Sequence, residues 1–164
     1  MAWRAAILTV SDSRSSGERE DTSAQVIREL VEEEIGGKIV DYRVVPDVRE
    51  EIAAALIDMA DVTGAELILT TGGTGLGLRD ITPEATRIVI DREVPGLAET
   101  MRASSIVKTR RAMLSRGICG TRGSTLIINL PGNPKGVSEN LSAVIDVLPH
   151  ALAILTGREG EHIE

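Results

Sequence analysis

Glu66-Leu67-Ile68-Leu69-Thr70-Thr71-Gly72-Gly73-Thr74-Gly75-Leu76-Gly77-Leu78-Arg79-Asp80-Ile81-Thr82-Pro83-Glu84-Ala85 is the stretch on which the fold turns. Leu67-Ile68-Leu69 forms the core of a short apolar run, which predicts a buried strand over Glu66 to Thr70. Gly72, Gly73, Gly75 and Gly77 follow it directly. Without Cβ atoms in the way, their backbone N–H groups can approach a phosphate closely. Thr82 as cap and Pro83 in the first turn then predict a helix over Glu84 to Asp91, whose positive end adds to an anion site. Glycines after a strand are more often a tight turn than a ligand cradle, but four within six residues favour a ligand. No Lys-Ser/Thr follows, as a P-loop requires, and Leu78 stands where the third glycine of G-x-G-x-x-G belongs.

Outward from this stretch, strand-like and helix-like segments alternate. Ala5 to Val10 reads as a buried strand. After a polar loop, Ser11 to Asp21, the residues Ala24, Ile27, Leu30, Val31 and Ile35 mark one face of a helix that Gly36-Gly37 stops. Ile39 to Val45 predicts a second strand ending at Pro46-Asp47, and Val48, Ile52, Ala55, Leu56 and Met59 give a helical stripe closed by Gly64. Beyond the glycine stretch, Pro95-Gly96 is expected to interrupt the chain before a helix over Leu97 to Ser104. Gly117, Gly120 and Gly123 suggest turns around a small hairpin. Leu126 to Leu130 reads as another buried strand, and Pro131-Gly132-Asn133-Pro134 leads into a last helix that Pro149 kinks. This alternation predicts an α/β fold around a mostly parallel sheet, as a single domain over residues 1–164. In a parallel sheet, Ser11-Asp12, Pro46-Asp47, Gly72 to Asp80 and Pro131 to Asn133 all emerge at the carboxyl edge, where open α/β folds bind ligands.

Composition narrows the ligand. The 164-residue chain carries a net charge of −7, yet Thr100 to Ser138 contains no Asp or Glu. Arg102, Lys108, Arg110, Arg111, Arg116, Arg122 and Lys135 lie in that segment, leaving 11 basic against 25 acidic residues elsewhere. Such a segment predicts a surface that receives anions. Nucleic acid is excluded as partner, because Trp3 and Tyr42 are the only aromatics and the remaining surface is acidic. No apolar run approaches the ~20 residues of a membrane span, and Met1 to Val10 reads as a strand rather than a signal peptide. The single Cys119 fits a reducing cytoplasm. A core without Phe must come from Ile, Leu, Val, Ala and Met.

Two carboxylates stand out. Asp47, with Glu50 three residues later, resembles a helix N-cap, and on sequence alone the cap is the better reading. Asp80 precedes a helix already capped by Thr82, so it has less structural work, although a turn role stays open. If both reach one rim they can hold a Mg²⁺ that bridges nucleotide phosphates. Ser11-Asp12-Ser13 most often makes an ordinary turn. Ser104, Ser105, Ser115 and Asn129 are neutral donors, with Asn129 needing a partner inside a buried strand. Lys135 in a helix's first turn opposes the dipole, which suggests an anion nearby. His150 and His162 lie too near the end for a histidine-centred triad, and no zinc spacing occurs. Phosphoryl or nucleotidyl transfer suits the inventory that is left.

Together, Val10-Ser11-Asp12-Ser13-Arg14, Val45-Pro46-Asp47, Thr70 to Gly75 with Arg79 to Ala85, Pro95-Gly96, Leu114 to Gly117 and Asn129 to Lys135 resemble the MogA/MoaB family, which includes the gephyrin-type G domains. The resemblance spans Ala5 to about Gly157. It implies a three-layer α/β sandwich with helices on both faces of the sheet. It also implies a homotrimer that adenylylates molybdopterin from Mg-ATP and hands the product to a molybdenum-inserting protein. Carried across, Asp47 and Asp80 are the catalytic, Mg²⁺-associated carboxylates. Asp12 lies on the nucleotide side, and Gly72, Gly73, Thr74 and Gly75 line the shared rim. Ser105, Ser115 and Asn129 match pterin or phosphate positions, and Ser11, Pro131, Gly132 and Lys135 complete the expected cofactor-binding set. Two alternatives remain: a non-catalytic pterin-binding paralogue, and a CinA-like nucleotide pyrophosphatase.

Overall fold

The computed structural model describes residues 2–17 and 20–158, so Met1 and His162 lie outside the described residues. Strand β1 (Arg4–Val10) lies between β2 (Lys38–Val45) and β3 (Leu67–Thr71), and β3 pairs onward with β6 (Thr125–Leu130). All three pairings are parallel. Strand β5 (Cys119–Arg122) then joins β6 antiparallel, through the turn that Gly123 makes. A two-residue strand β4 (Arg92–Glu93), too short to leave a pattern in sequence, closes the edge against β5.

Successive strand residues face opposite sides, and here both sides are covered. Ala5, Ile7, Leu67, Leu69, Leu126 and Ile128 pack with one set of helices, and Ala6, Leu8, Val10, Ile68 and Ile127 with the other. That is why the strands read as continuous apolar runs instead of alternating ones. The first layer contains α2 (Thr22–Ile35), α5 (Pro95–Ile106), α6 (Pro134–Val144) and α7 (Leu148–Thr156); the second contains α3 (Arg49–Asp61) and α4 (Thr82–Val89). The result is a three-layer α/β sandwich. Trp3, absent from the expected core, is buried in the first cluster beneath the guanidinium of Arg158, 3.9 Å from the ring centroid.

Several local expectations are revised. The polar loop after β1 contains a helical turn, α1 (Asp12–Ser15), capped by Ser11. Pro95 opens its helix instead of interrupting the chain, since a first-turn proline lacks only an N–H that would have no helical partner. Pro149 likewise stands in the first turn of α7, after a 3₁₀ turn at Ile145–Val147 breaks the last helix. Neither expected cap is made. Thr82 is a helical residue whose hydroxyl donates to the Gly72 carbonyl (2.9 Å), and α3 is preceded by Val48 with no side-chain cap, leaving Asp47 outside the helix.

Candidate active site

The parallel strands bring four loops to one edge, and hydrogen bonds stitch them together. Ser11 N–H donates to Val45 O (2.9 Å), joining the first two loops. Gly72 N–H donates to Leu130 O (3.1 Å), and Thr71 Oγ1 to Pro131 O (2.6 Å). Ser23, in the first turn of α2, holds Gly132 O at 2.8 Å. Gly72 and Gly73 have φ of +101° and +71°, the left-handed region. A Cβ at Gly72 would overlap the Val10 carbonyl oxygen, and one at Gly73 the Thr82 hydroxyl, so the loop can cross β1 and meet α4 only as glycine.

On this loop sits a rim of three carboxylates. Asp12 N–H donates to Asp47 Oδ2 and Asp47 N–H donates to Asp12 Oδ1, both at 3.0 Å. This reciprocal pair is what takes Asp47 away from helix capping. Arg79 clamps Asp12 in two-pronged fashion, Nε to Oδ2 at 2.7 Å and Nη2 to Oδ1 at 3.0 Å. Asp80 Oδ2 accepts from Gly77 N–H at 2.9 Å, so it does have a turn role. A Cβ at Gly73 would lie 3.4 Å from Asp47 Oδ1, and one at Gly75 3.0 Å from Asp80 Oδ2. Asp47 and Asp80 therefore border the same glycine loop. Each commits one oxygen to a backbone N–H and keeps the other without a hydrogen bond among the described residues. Burial pushes the Asp47 carboxyl above its usual range; the Asp12 N–H works against this, and the charges of Asp12 and Asp80 add to it. Asp12 is held low, first by its hydrogen bonds from Arg79 and then by the Asp47 N–H.

The other side of the glycine loop opens into a cleft of about 240 Å³. Thr74, Gly75 and Ser115 line it, with Arg102 and Ser105 from α5. Ser105 is only 4% exposed, and its Oγ has no hydrogen-bond partner. Buried hydroxyls on helices ordinarily bond back to the carbonyl four residues earlier, as Thr86 and Thr156 do at 2.8 and 2.7 Å. Ser105 does not, so the cleft contains a buried donor with nothing to bond. Pro131 and Asn133 line the same cleft, while Gly132 packs against Gly72 through its backbone.

Asn129 does not reach a ligand position. It is 2% exposed, and its amide donates to Thr70 Oγ1 (3.1 Å) and Thr86 Oγ1 (3.0 Å) and accepts from Ile118 N–H (3.2 Å). Its partners all lie in the wall, so it braces β3, α4 and the chain before β5. Lys135 is exposed and does not line the cleft. The acid-free segment also fails to form one cationic surface. Arg122 lies at the opposite edge of the sheet, bound to Asp61 (2.8 Å) and Val89 O, because β5 runs antiparallel. Arg116 buttresses the glycine loop, donating to Gly75 O (2.8 Å), Asp80 O (2.6 Å) and Glu84 (2.7 Å). Only Arg102 and Arg111 line the cleft. Sequence reasoning missed Arg79 as a rim residue and Glu139 and Asn140 as cleft residues, and it placed Arg102 and Arg111 only within a broad cationic segment. One signal was available: Arg102 and Ser105 share a helix face, as do Gly136, Glu139 and Asn140.

The family described as "Probable molybdopterin binding domain" matches residues 6–150. A molybdopterin adenylyltransferase from Helicobacter pylori is 42% identical over 152 residues, covering 92% of this chain and 86% of the relative. The molybdopterin adenylyltransferase of Escherichia coli K12 is 38% identical, covering 87% and 74%. The crystal structure of the molybdopterin biosynthesis enzyme MoaB from Thermus thermophilus superposes with a TM-score of 0.89 at 54% identity, over 94% of this chain and 97% of that one. With the matched segment running from β1 through the last helices, the chain belongs to the molybdopterin-binding domain family that includes the molybdopterin adenylyltransferases.

Proposed function

We infer that this protein is an adenylyltransferase of molybdenum cofactor biosynthesis, which transfers AMP from ATP to the terminal phosphate of molybdopterin. The observation that carries the reading is the glycine loop itself. It borders the carboxylates of Asp47 and Asp80 on one side and an unsatisfied, ligand-sized cleft on the other. A phosphorylated pterin in the cleft would present its phosphate at the loop, where a nucleotide on the rim presents its α-phosphorus.

In the reaction a phosphate oxygen of molybdopterin attacks the α-phosphorus of ATP. A new P–O bond forms, the bond between the α- and β-phosphates breaks, and pyrophosphate leaves with the electron pair. A phosphate monoester is largely dianionic at neutral pH (second pKa ~6), so no general base is needed.

Among the described residues no cluster of three or more His, Cys, Asp or Glu side chains could hold a metal by itself. Two carboxylates, Asp47 and Asp80, suit Mg²⁺, which is commonly held by one or two carboxylates together with substrate phosphates. Asp47 and Asp80 would hold it through their free oxygens, and it would neutralise charge on the nucleotide. Arg79 and Asp12 keep the β1 and β2 loops fixed against the glycine loop, and Ser11 caps the turn that carries Asp12. Ser105, Ser115 and Thr74 line the pterin side.

The same reading makes the enzyme a cytoplasmic homotrimer that passes its product to a molybdenum-inserting protein. Among the described residues no helix is long and apolar enough to cross a membrane. Cys119 is buried, and burial pushes its thiol up to about 12, which leaves it unreactive.

Incubation with molybdopterin, ATP and Mg²⁺ tests the reading. Adenylylated pterin and pyrophosphate should appear together, and only when all three are present. Pterin binding without product would identify a binding module. AMP released without any pterin would identify a nucleotide pyrophosphatase.

A further inference from the structure

We propose that Glu139 reads the edge of the pterin ring that carries the 2-amino group and N3–H, and so sets ring specificity. The proposal rests on the reading of the cleft as the pterin side of an adenylyltransferase, and assigns that cleft a selecting residue.

Glu139 comes from α6 and is the one carboxylate among the residues lining the cleft. It is half-buried, and it has no hydrogen bond or ion pair within the described residues. That isolation is unusual for a half-buried carboxylate here: among the described residues the exposed Glu33 and Glu99 are unpaired too, but the half-buried Asp41 and Asp58 both pair with Arg43. Asp12, Asp61, Glu66 and Glu84 all pair with an arginine. Glu139 shares its cleft with Arg102 and Arg111, yet bonds to neither. Arg102 directs Nη1 to the carbonyls of Ser115 (3.3 Å) and Gly117 (3.0 Å) instead.

A second observation points to a polar ligand in the same space. The Ser105 hydroxyl is buried there without a partner, a condition that costs about 1–3 kcal/mol unless something else supplies the bond. The two groups differ in what they accept. A carboxylate repels a phosphate, so the anionic end of the substrate belongs toward the glycine loop and Glu139 faces the other end. An ionised carboxylate is an acceptor only, with two oxygens side by side. It matches a ligand edge that offers two parallel N–H donors, and such charge-assisted pairs are the stronger kind. A pterin in its 4-oxo form has that edge, with N3–H and the 2-amino group adjacent. Its next group, O4, is an acceptor, for which the unengaged N–H donors of Arg102 are suited. The cleft, about 240 Å³, has room for a two-ring heterocycle.

The test compares 6-hydroxymethylpterin phosphate with its 2-oxo (lumazine) counterpart, in which an acceptor replaces the 2-amino donor. Binding is read by ligand fluorescence without ATP, on the full chain and on Glu139→Gln and Glu139→Ala, with thermal melts to report folding. The Glu139 side chain has no hydrogen bond or ion pair among the described residues, so both variants should melt as the parent does. The parent should prefer the pterin by about tenfold to hundredfold. Glu139→Gln should lose most of that preference, because its amide offers one acceptor and can donate to the 2-oxo group. Glu139→Ala should weaken the pterin and leave the lumazine unchanged. Magnesium-dependent ATP binding at the rim should be the same in all three. A folded Glu139→Gln that keeps the parental preference overturns the proposal while leaving the adenylyltransferase reading intact. A parent that binds neither ligand overturns both.

Discussion

The carboxylate rim and the α5–α6 cleft share one glycine loop but treat their polar groups in opposite ways. In the rim, Asp12 and Asp47 exchange backbone hydrogen bonds, Arg79 grips Asp12, and Asp80 closes a turn. The protein has already organised the charges there. In the cleft, Ser105, Arg111 and Glu139 make no such bonds. The contrast matches two tasks. Charge that develops during reaction is best met by groups already fixed in place, whereas recognition of a heterocycle needs bonding capacity that the protein has not used on itself.

The largest test of this contrast is Asp80→Asn. It should lower kcat by about a hundredfold to a thousandfold, the usual loss when one preorganised electrostatic group is removed, and leave pterin binding unchanged. Comparable losses of rate and pterin affinity would merge the two regions into one. Thr82→Val probes the loop they share. It deletes the buried bond to the Gly72 carbonyl and should reduce unfolding free energy by about 1–3 kcal/mol in a denaturant melt, and it should impair rim and cleft together. Ser105→Ala should act on the cleft alone, weakening pterin binding by about fivefold while raising the stability of the empty protein by up to about 1 kcal/mol. A destabilised Ser105→Ala would mean that the hydroxyl serves the fold.

The smallest effect concerns Asp47. Its carboxyl titrates above the ordinary range because of burial, with the Asp80 charge contributing, so Asp80→Asn should move it downward in a carboxyl NMR titration. Because the folded protein holds this proton more tightly than the unfolded chain, Asp47 favours folding at low pH. That contribution is lost as pH rises through its folded-state pKa. On the proposed reading the sign for function reverses, because Asp47 would hold Mg²⁺ as the charged carboxylate. Activity should therefore fall on the acid side at a pH above the usual Asp range. Asp12 behaves oppositely: its folded-state pKa is lowered, so its contribution is present above the unfolded value and fades as pH falls through the folded one.

The alternation of apolar runs with helical stripes was enough to place β1, β2, β3 and β6 and the loops at their carboxyl ends, because each run carries its own burial signal. The edge was harder. Strand β4, with only Arg92 and Glu93, exists because β5 offers an unpaired side, a fact that no local pattern records. Asp47 shows the same limit at the site. Next to Glu50 it reads as a helix cap, and a reader of local spacing would leave it there. Asp12, 35 residues away in sequence, supplies the N–H that draws it to the rim.

Chain chemistry by itself pointed to a mostly parallel α/β domain with a glycine loop and few aromatics, Trp3 and Tyr42. It could not decide which cations face a ligand. Arg122, Arg116 and Arg102 look alike in an acid-free segment, yet one sits at the far edge, one props the loop and one lines the cleft. Only strand direction and helix packing separate them. Side-chain identity fixes what a group can bond, while tertiary contact fixes whether the protein has already bonded it.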